Sequence, residues 1–381
     1  MTKIRPLLLL LLLLLLMLAP AVHAQTQNKK LAAEVKAEFL HAWNGYKKYA
    51  WGHDDLKPLS KTHHDWYPKP LLMTAVDSLD TMILMDMDDE AAKTKQYILE
   101  NLSFDKDIEV QNFEITIRLL GALLTNYQLT GDKRFLSLAE DLGNRLLPVF
   151  NSPTGMPYRY VNLKTGKVSK PISNPAETGT LIIEFGTLSK LTGKPIFYDK
   201  AKLALVATYN RRSKIGLVGE WINVETGEWT NTDSHISGAI DSYYEYLLKC
   251  WLLFGDRDCK RMWDESIVAI NKYLAEEVTR KDLPAGPATL LWYGHADMNT
   301  GARRASTFGA LDAFFPAVLA LSGDVSRAGR LQLSAYTMWD EAGIEPEEFD
   351  YRARKIISPG YPLRPEIVES KASVTVPTEP T

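Results

Sequence analysis

The segment NYQLTGDKRFLSLAEDL, residues 126–142, decides the fold. It reads as the end of one helix, a turn at Gly131 and the start of another helix, because glycine takes the left-handed conformation that terminates a helix without a Cβ penalty. The same pattern returns in SKLTGKPIFYDKAKLAL (189–205), CWLLFGDRDCKRMWDESI (250–267) and LALSGDVSRAGRLQLSA (319–335), with turn glycines Gly193, Gly255 and Gly323. Successive turns lie 62, 62 and 68 residues apart, which marks a repeated supersecondary unit. MDMDDEAAKTKQYILENL, from Met85, reads as an earlier copy with acidic residues at its turn. One unit is thus an αα-hairpin followed by a long return loop.

The return loops share a pattern of their own. GMPYRYVNLKTGKVS, GEWINVETGEWTN and LWYGHADMNTGARR place Thr-Gly between short segments, at Thr165-Gly166, Thr226-Gly227 and Thr300-Gly301. The first two alternate apolar and polar residues as β-hairpins do. Helical hairpins recurring with inserted β-hairpins predict an all-α toroid of paired helices with loops at one end; a helical solenoid satisfies the repeats equally. The chain carries no glycine-rich phosphate loop and no βαβ alternation.

With 381 residues, 45% of them hydrophobic, the chain has material for one large domain or two ordinary ones. A net charge of -3 without a basic stripe gives no electrostatic case for nucleic acid. Nine Trp and seventeen Tyr suit stacking surfaces for sugars as well as core packing. Lys3 and Arg5 precede an apolar run from Leu7 to Ala19, and Pro20, Val22 and Ala24 then resemble a small-residue cleavage site. Residues 1–24 are therefore expected to be an export signal, too short for a membrane anchor, with a domain over 25–370 and a disordered polar tail over 371–381. Cys250 and Cys259 flank the Gly255 turn, where both a disulfide and two reduced thiols are admissible. The His- and Asp-rich segment HDDLKPLSKTHHDW lacks ligand spacing and reads as a solvated loop.

Several carboxylates stand near predicted helix starts. In EVQNFEITIRLLGALL (109–124), read as one buried helix, Glu114 and Arg118 sit one turn apart; they form an ion pair at the edge of a core, or they face a cleft where the acid is tuned for proton transfer. Asp241 opens the helix of SGAIDSYYEYLLKCWLLFGD. Glu366 follows Pro365 in YPLRPEIVES, in a first turn whose dipole favours the ionised form, and Glu369 lies one turn later. Glu177 precedes the apolar run of NPAETGTLIIEF, in which Glu184 calls for an ion pair or a substrate-facing position. In a toroid such helix starts converge, and facing carboxylates edged by Trp and Tyr favour glycoside hydrolysis over acyl transfer.

At these motifs the sequence resembles glycoside hydrolase family 47, the class I α-mannosidases and the relatives that act on misfolded glycoproteins. DSLDT (77–81), NFEITIRLLGALL, AETGTLIIEF, DSYYEYLLK and LRPEIVES carry the resemblance, which spans about Val35 to Ser370. It implies an (α/α)7 barrel, bound calcium and inverting cleavage of α-1,2-linked mannose from mannose-containing oligosaccharides; the N-terminal signal adds export to the periplasm, the medium or the secretory lumen. By the same resemblance Glu114 is the general acid, Glu366 the general base and Asp241 the third acid, the proton falling to Glu114 or Asp241; Arg118, Glu177 and Glu369 line the mannose pocket. Inversion places the acid and base carboxyls about 6.5–9.5 Å apart, leaving room for water. FGALDAFFPAVLALSGD lacks the histidine of typical α-1,2-mannosidases and is closer to the glycoprotein-degradation branch. The sequence leaves the family pattern near Lys371, so the closing repeats and the threonine segment that holds calcium are expected to be missing, and no metal ligand is assigned. A catalytically weak mannose-glycan-binding protein is the alternative this implies.

Overall fold

The computed structural model describes residues 28–282 and 286–375, so the expected export signal at 1–24 lies outside the described residues. The chain divides into two compact units, Met1–Leu102 and Ser103–Thr381. No helix of the described residues is long and apolar enough to cross a membrane.

In the first unit, helix α1 (28–49) buries Trp43 and Tyr46, and Trp43 Nε1 and Lys47 Nζ both donate to Glu90 Oε2, at 2.9 and 2.8 Å. These bonds fasten α1 to α3 (Asp88–Asn101), which forms a hairpin with α2 (Met73–Leu84). At the turn between α2 and α3, Asp86 adopts φ 53°, taking the left-handed position that glycine fills in the other copies. The segment expected to be a solvated loop is instead an anchored hairpin, with β1 (Asp55–Lys57) paired to β2 (Thr62–His64). Its anchor is Asp54, fully buried, which accepts from the amides of Trp66, Leu71 and Met73 at 3.1, 2.7 and 3.2 Å. Amides supplied by a distant stretch of chain turn a polar residue inward.

The second unit repeats one plan: a lead strand, an inner helix, a glycine turn, an outer helix and a β-hairpin whose first strand pairs back onto the lead strand. The first copy runs β3 (Glu109–Gln111), α4 (Asn112–Ile115), α5 (Gly121–Thr130), α6 (Lys133–Leu146), β4 (Tyr160–Asn162) and β5 (Val168–Ser169). The second runs β6 (Ile172–Ser173), α7 (Pro175–Gly179), α8 (Ile182–Thr192), α9 (Pro195–Tyr209), β7 (Trp221–Asn223) and β8 (Trp229–Asn231). The third has β9 (Asp233–Ser234), α10 (Asp241–Phe254), α11 (Arg257–Tyr273), an added hairpin of β10 (Ala275–Arg280) and β11 (Ala288–Tyr293), then β12 (His295–Asp297) and β13 (Arg303–Ala305). The fourth has β14 (Thr307–Phe308), α12 (Phe315–Leu321), α13 (Val325–Ala342), β15 (Glu348–Asp350) and β16 (Lys355–Ser358), after which α14 (Glu366–Thr375) begins. The helix through Thr375 corrects the expected polar tail over 371–375; residues 376–381 lie outside the described residues.

The glycine turns behave as the spacing predicts. Gly131, Gly193, Gly255 and Gly323 have φ between 67° and 94°, and a Cβ on any of them would meet nothing within 4 Å, so backbone conformation alone selects glycine. Asp132, Asp256 and Asp324 then accept backbone amides as N-caps of α6, α11 and α13. The Thr-Gly hairpins also form, each closed by an Asn or Asp three residues before the threonine: the side chains of Asn162, Asn223 and Asp297 accept the amides of Thr165, Thr226 and Thr300. A fourth hairpin escaped notice because Arg354, at φ 56°, stands where the others have glycine, while Asp350 accepts the amide of Ala353.

Successive inner helices pack side by side, α4 on α7, α7 on α10, α10 on α12 and α12 on α14, with each outer helix against its own inner partner. Contact is close where side chains are absent: a Cβ on Gly179 of α7 would stand 2.5 Å from the Tyr243 ring of α10. In each of the four copies the inner helix follows its lead strand, so an acid in that stretch lies at the sheet end of its repeat. A disulfide between Cys250 and Cys259 joins α10 to α11 across the Gly255 turn, settling the pair that sequence left open.

Candidate active site

Glu114 lies in α4, which follows strand β3; the stretch read as one helix from Glu109 therefore begins as a strand. Its second departure is one turn of π-helix, Thr116–Leu120, between α4 and α5. A π-turn inserts one residue into the helical register and is frequent at functional sites. Arg118 Nε donates to Glu114 Oε2 at 2.9 Å, with the two side chains 39% and 23% exposed, while Ile115, Leu119 and Leu120 turn into the core. The pair thus occupies the open face of an otherwise apolar helix.

Asp241 is the first residue of α10, preceded by Ala239 at φ 75°, a strained position for a residue with a Cβ. Burial pushes its carboxyl up to about 6, against the lowering effect of Ser242, whose amide and hydroxyl donate to Oδ1 at 2.7 and 3.2 Å; Glu245 and Glu366 raise it further. Glu366 opens α14. Burial raises its pKa too, and Glu369 and Glu347 add to that while Arg364 opposes it. The first-turn dipole expected to favour the ionised form is outweighed, and Glu366 Oε2 is buried without a hydrogen-bond partner. Glu369 is exposed one turn later, within electrostatic range of Glu366.

Glu177 and Glu184 are differently employed. Glu177 is buried and saturated: Arg159 donates to both oxygens at 2.6 and 2.7 Å, Gln111 to Oε1 at 2.9 Å and Ser173 to Oε2 at 3.1 Å. Its direct effect is to fix Arg159 and Gln111. Glu184 has neither the ion pair nor the open position that sequence suggested; Tyr246 donates to Oε1 at 2.7 Å, Oε2 is unpartnered, and burial pushes the carboxyl up to about 7.

Two acids were missed. Asp312 follows lead strand β14 as Glu114, Glu177 and Asp241 follow β3, β6 and β9, and FGALDAFF carried that signal. It is buried, accepts the Gly309 amide at 2.9 Å, and is pushed up to about 7 by burial against the pull of His295, with Asp241 raising it. Glu345 is wholly buried with neither oxygen hydrogen-bonded, and burial, then Glu366 and Glu347, push it to about 8. Burial and mutual repulsion therefore push the carboxyls of Asp241, Asp312 and Glu345 up to between about 6 and about 8, and raise that of Glu366 as well.

Carboxyls at or near the starts of packed inner helices suit glycoside chemistry, and comparison with known proteins bears on that directly. Residues 38–373 match the family described as Glycosyl hydrolase family 47. The chain belongs to glycosyl hydrolase family 47. Alpha-mannosidase I MNS4 of Arabidopsis thaliana is 38% identical over 357 residues, covering 90% of this chain and 55% of that protein. ER degradation-enhancing alpha-mannosidase-like protein 2 of Mus musculus is 36% identical over 354 residues, covering 88% of this chain and 59% of that protein. The chain thus spans little more than half the length of these family 47 relatives. An alpha-1,2-mannosidase from Trichoderma reesei superposes with a TM-score of 0.78 at 26% identity, covering 90% of this chain and 80% of that one. The fold is the all-α helical barrel of the family.

Proposed function

We propose that this family 47 chain hydrolyses α-1,2-linked mannose from oligosaccharides or glycoproteins with inversion. The observation that carries this reading is the placement of two half-buried carboxyls, Asp241 and Glu366, at the heads of separate inner helices on either side of α12. Hydrolysis of a glycoside needs one carboxyl that arrives protonated and another that takes a proton from water. Asp241, held up to about 6, keeps a proton better than an ordinary aspartate and is the donor. Glu366, made more basic by burial and carboxylate neighbours, is the base, and its unpartnered Oε2 is the atom for the attacking water. Glu114, committed to Arg118, orients the pair's guanidinium and a sugar hydroxyl rather than delivering the proton. Glu369 and the Arg159 fixed by Glu177 contact the mannose.

Calcium, expected from the family, is compatible with the residues present. Glu345 and Glu366 have three buried oxygens without hydrogen-bond partners, and Glu347 and Glu369 stand within electrostatic range of Glu366. Hard oxygen donors of this kind suit calcium, which when bound would neutralise the cluster and orient sugar hydroxyls and water. The Cys250–Cys259 bridge supports an oxidising compartment and hence export.

The test is the purified chain on an α-1,2-mannobiose, with calcium and with a chelator. Mannose release that calcium restores supports the proposal; binding of the disaccharide without release under either condition supports a glycan-binding protein instead.

A further inference from the structure

We propose that Asp233, His235 and His295 form a site for a first-row transition-metal ion of the zinc class. Antiparallel pairing of β9 with β12 aligns Asp233 with Asp297 and Ser234 with Ala296, which brings the three side chains together. One ligand atom from each lies within 4.8 Å of the others. The imidazoles stack with centroids 4.3 Å apart, and both open on a cavity of about 380 Å³ shared with Glu220 and Asp312.

Two imidazoles and a carboxylate are donors for zinc and its neighbours rather than for calcium. His235 is 3% exposed, and a neutral imidazole offers one free ring nitrogen to an ion. Asp233 Oδ2 lies 2.7 Å from His295 Nδ1, and an ion bound through both atoms takes the place of the proton they share. Asp233 Oδ1 and Asp312 Oδ1 are buried and make no hydrogen bond. A buried His235 stacked on a half-buried His295 beside unsatisfied carboxylate oxygens costs desolvation that an apolar packing would avoid, and a cation removes that cost.

Two features oppose the ion. Arg304 stands 3.8 Å from Asp233 Oδ1, though it also bonds Asp297 and Thr232, and Glu220 lines the same cavity as the two histidines. The Ser237 amide donates to His235 Nδ1 at 3.2 Å, a long bond given up when the ring shifts tautomer to bind through Nε2. Three protein donors leave a tetrahedral ion one position for water. The other grouping of potential ligands among the described residues, Cys250, Asp256 and Cys259, has its sulfurs in the disulfide.

Zinc titrated calorimetrically into the chelator-stripped, oxidised full chain tests the site, with Co²⁺ absorption as an independent probe. One equivalent is expected to bind at micromolar or tighter Kd, weakened at least about tenfold in His235→Ala and in His295→Ala. Co²⁺ should give intense tetrahedral bands with the native chain and lose them in both variants, each checked by circular dichroism. Should His235→Ala fail to fold, the partly exposed His295→Ala carries the comparison. Absence of zinc binding, binding unaffected by the substitutions, as from the histidines at 53, 63 and 64, or a hexaaqua Co²⁺ spectrum would overturn the proposal.

Discussion

Asp241 and Glu366 divide the work that a glycosidase asks of two carboxyls, and their surroundings explain the division. Asp241→Asn removes the donated proton while keeping the Ser242 contacts, so kcat should fall about 10²–10⁴-fold with an unchanged circular dichroism spectrum. Glu114→Gln should instead act mainly through KM, as expected for a group that orients Arg118 and substrate; steady-state kinetics on the mannobiose separate the two outcomes. Glu184 offers a pH test away from the proposed chemistry. Its folded pKa of about 7 lies above the unfolded value, so its contribution is present below about pH 4.5 and lost as pH rises through 7. Thermal melts between pH 5 and 8 should therefore show Glu184→Gln gaining stability relative to the native chain as pH rises; a pH-independent difference would reject the buried-acid explanation. The sequence showed that these acids sit at helix starts but not what burial does to them. Glu177 looks like Glu114 in one dimension, yet Arg159 and Gln111 arrive from other elements and consume it. FGALDAFF showed where Asp312 stands but not its burial, and Glu345 was invisible because its depth is set by neighbours distant in the chain.

The glycine turns were legible because they rest on a local rule. A left-handed φ at a helix end favours glycine whatever surrounds it, and Gly255→Ala, with open space around the new Cβ, should cost about 1–2 kcal/mol in urea unfolding from backbone strain alone. The Thr-Gly hairpins were readable for the same reason. The fourth hairpin was not, since Arg354 accepts a left-handed φ and pairs with Asp282 and Glu341. The π-turn after α4 also evaded periodicity, which cannot register a single inserted residue. At the α10–α11 turn, reduction of the Cys250–Cys259 bridge should lower stability by roughly 2–4 kcal/mol, measured by paired denaturation with and without reductant.

At the scale of the molecule, the repeat plan is what makes one acid per helix start into a cluster. Packing of α10 on α12 and of α12 on α14 sets Asp241 and Glu366 at the starts of helices that flank α12, with Asp312 in the turn leading into α12. Family membership follows from the match over residues 38–373, and the all-α barrel from the Trichoderma reesei enzyme; neither assigns the proton donor. The added β10–β11 hairpin and the His235–His295 stack distinguish the third repeat from its neighbours and explain why its end of the molecule merits the metal test. The most direct test of the central claim is proton NMR of the mannose first released from an α-1,2-mannobiose, by the native chain and by Glu366→Gln. β-Mannose from the native chain and none from the variant is the predicted result; α-mannose from the native chain, or undiminished turnover by the variant, would contradict it.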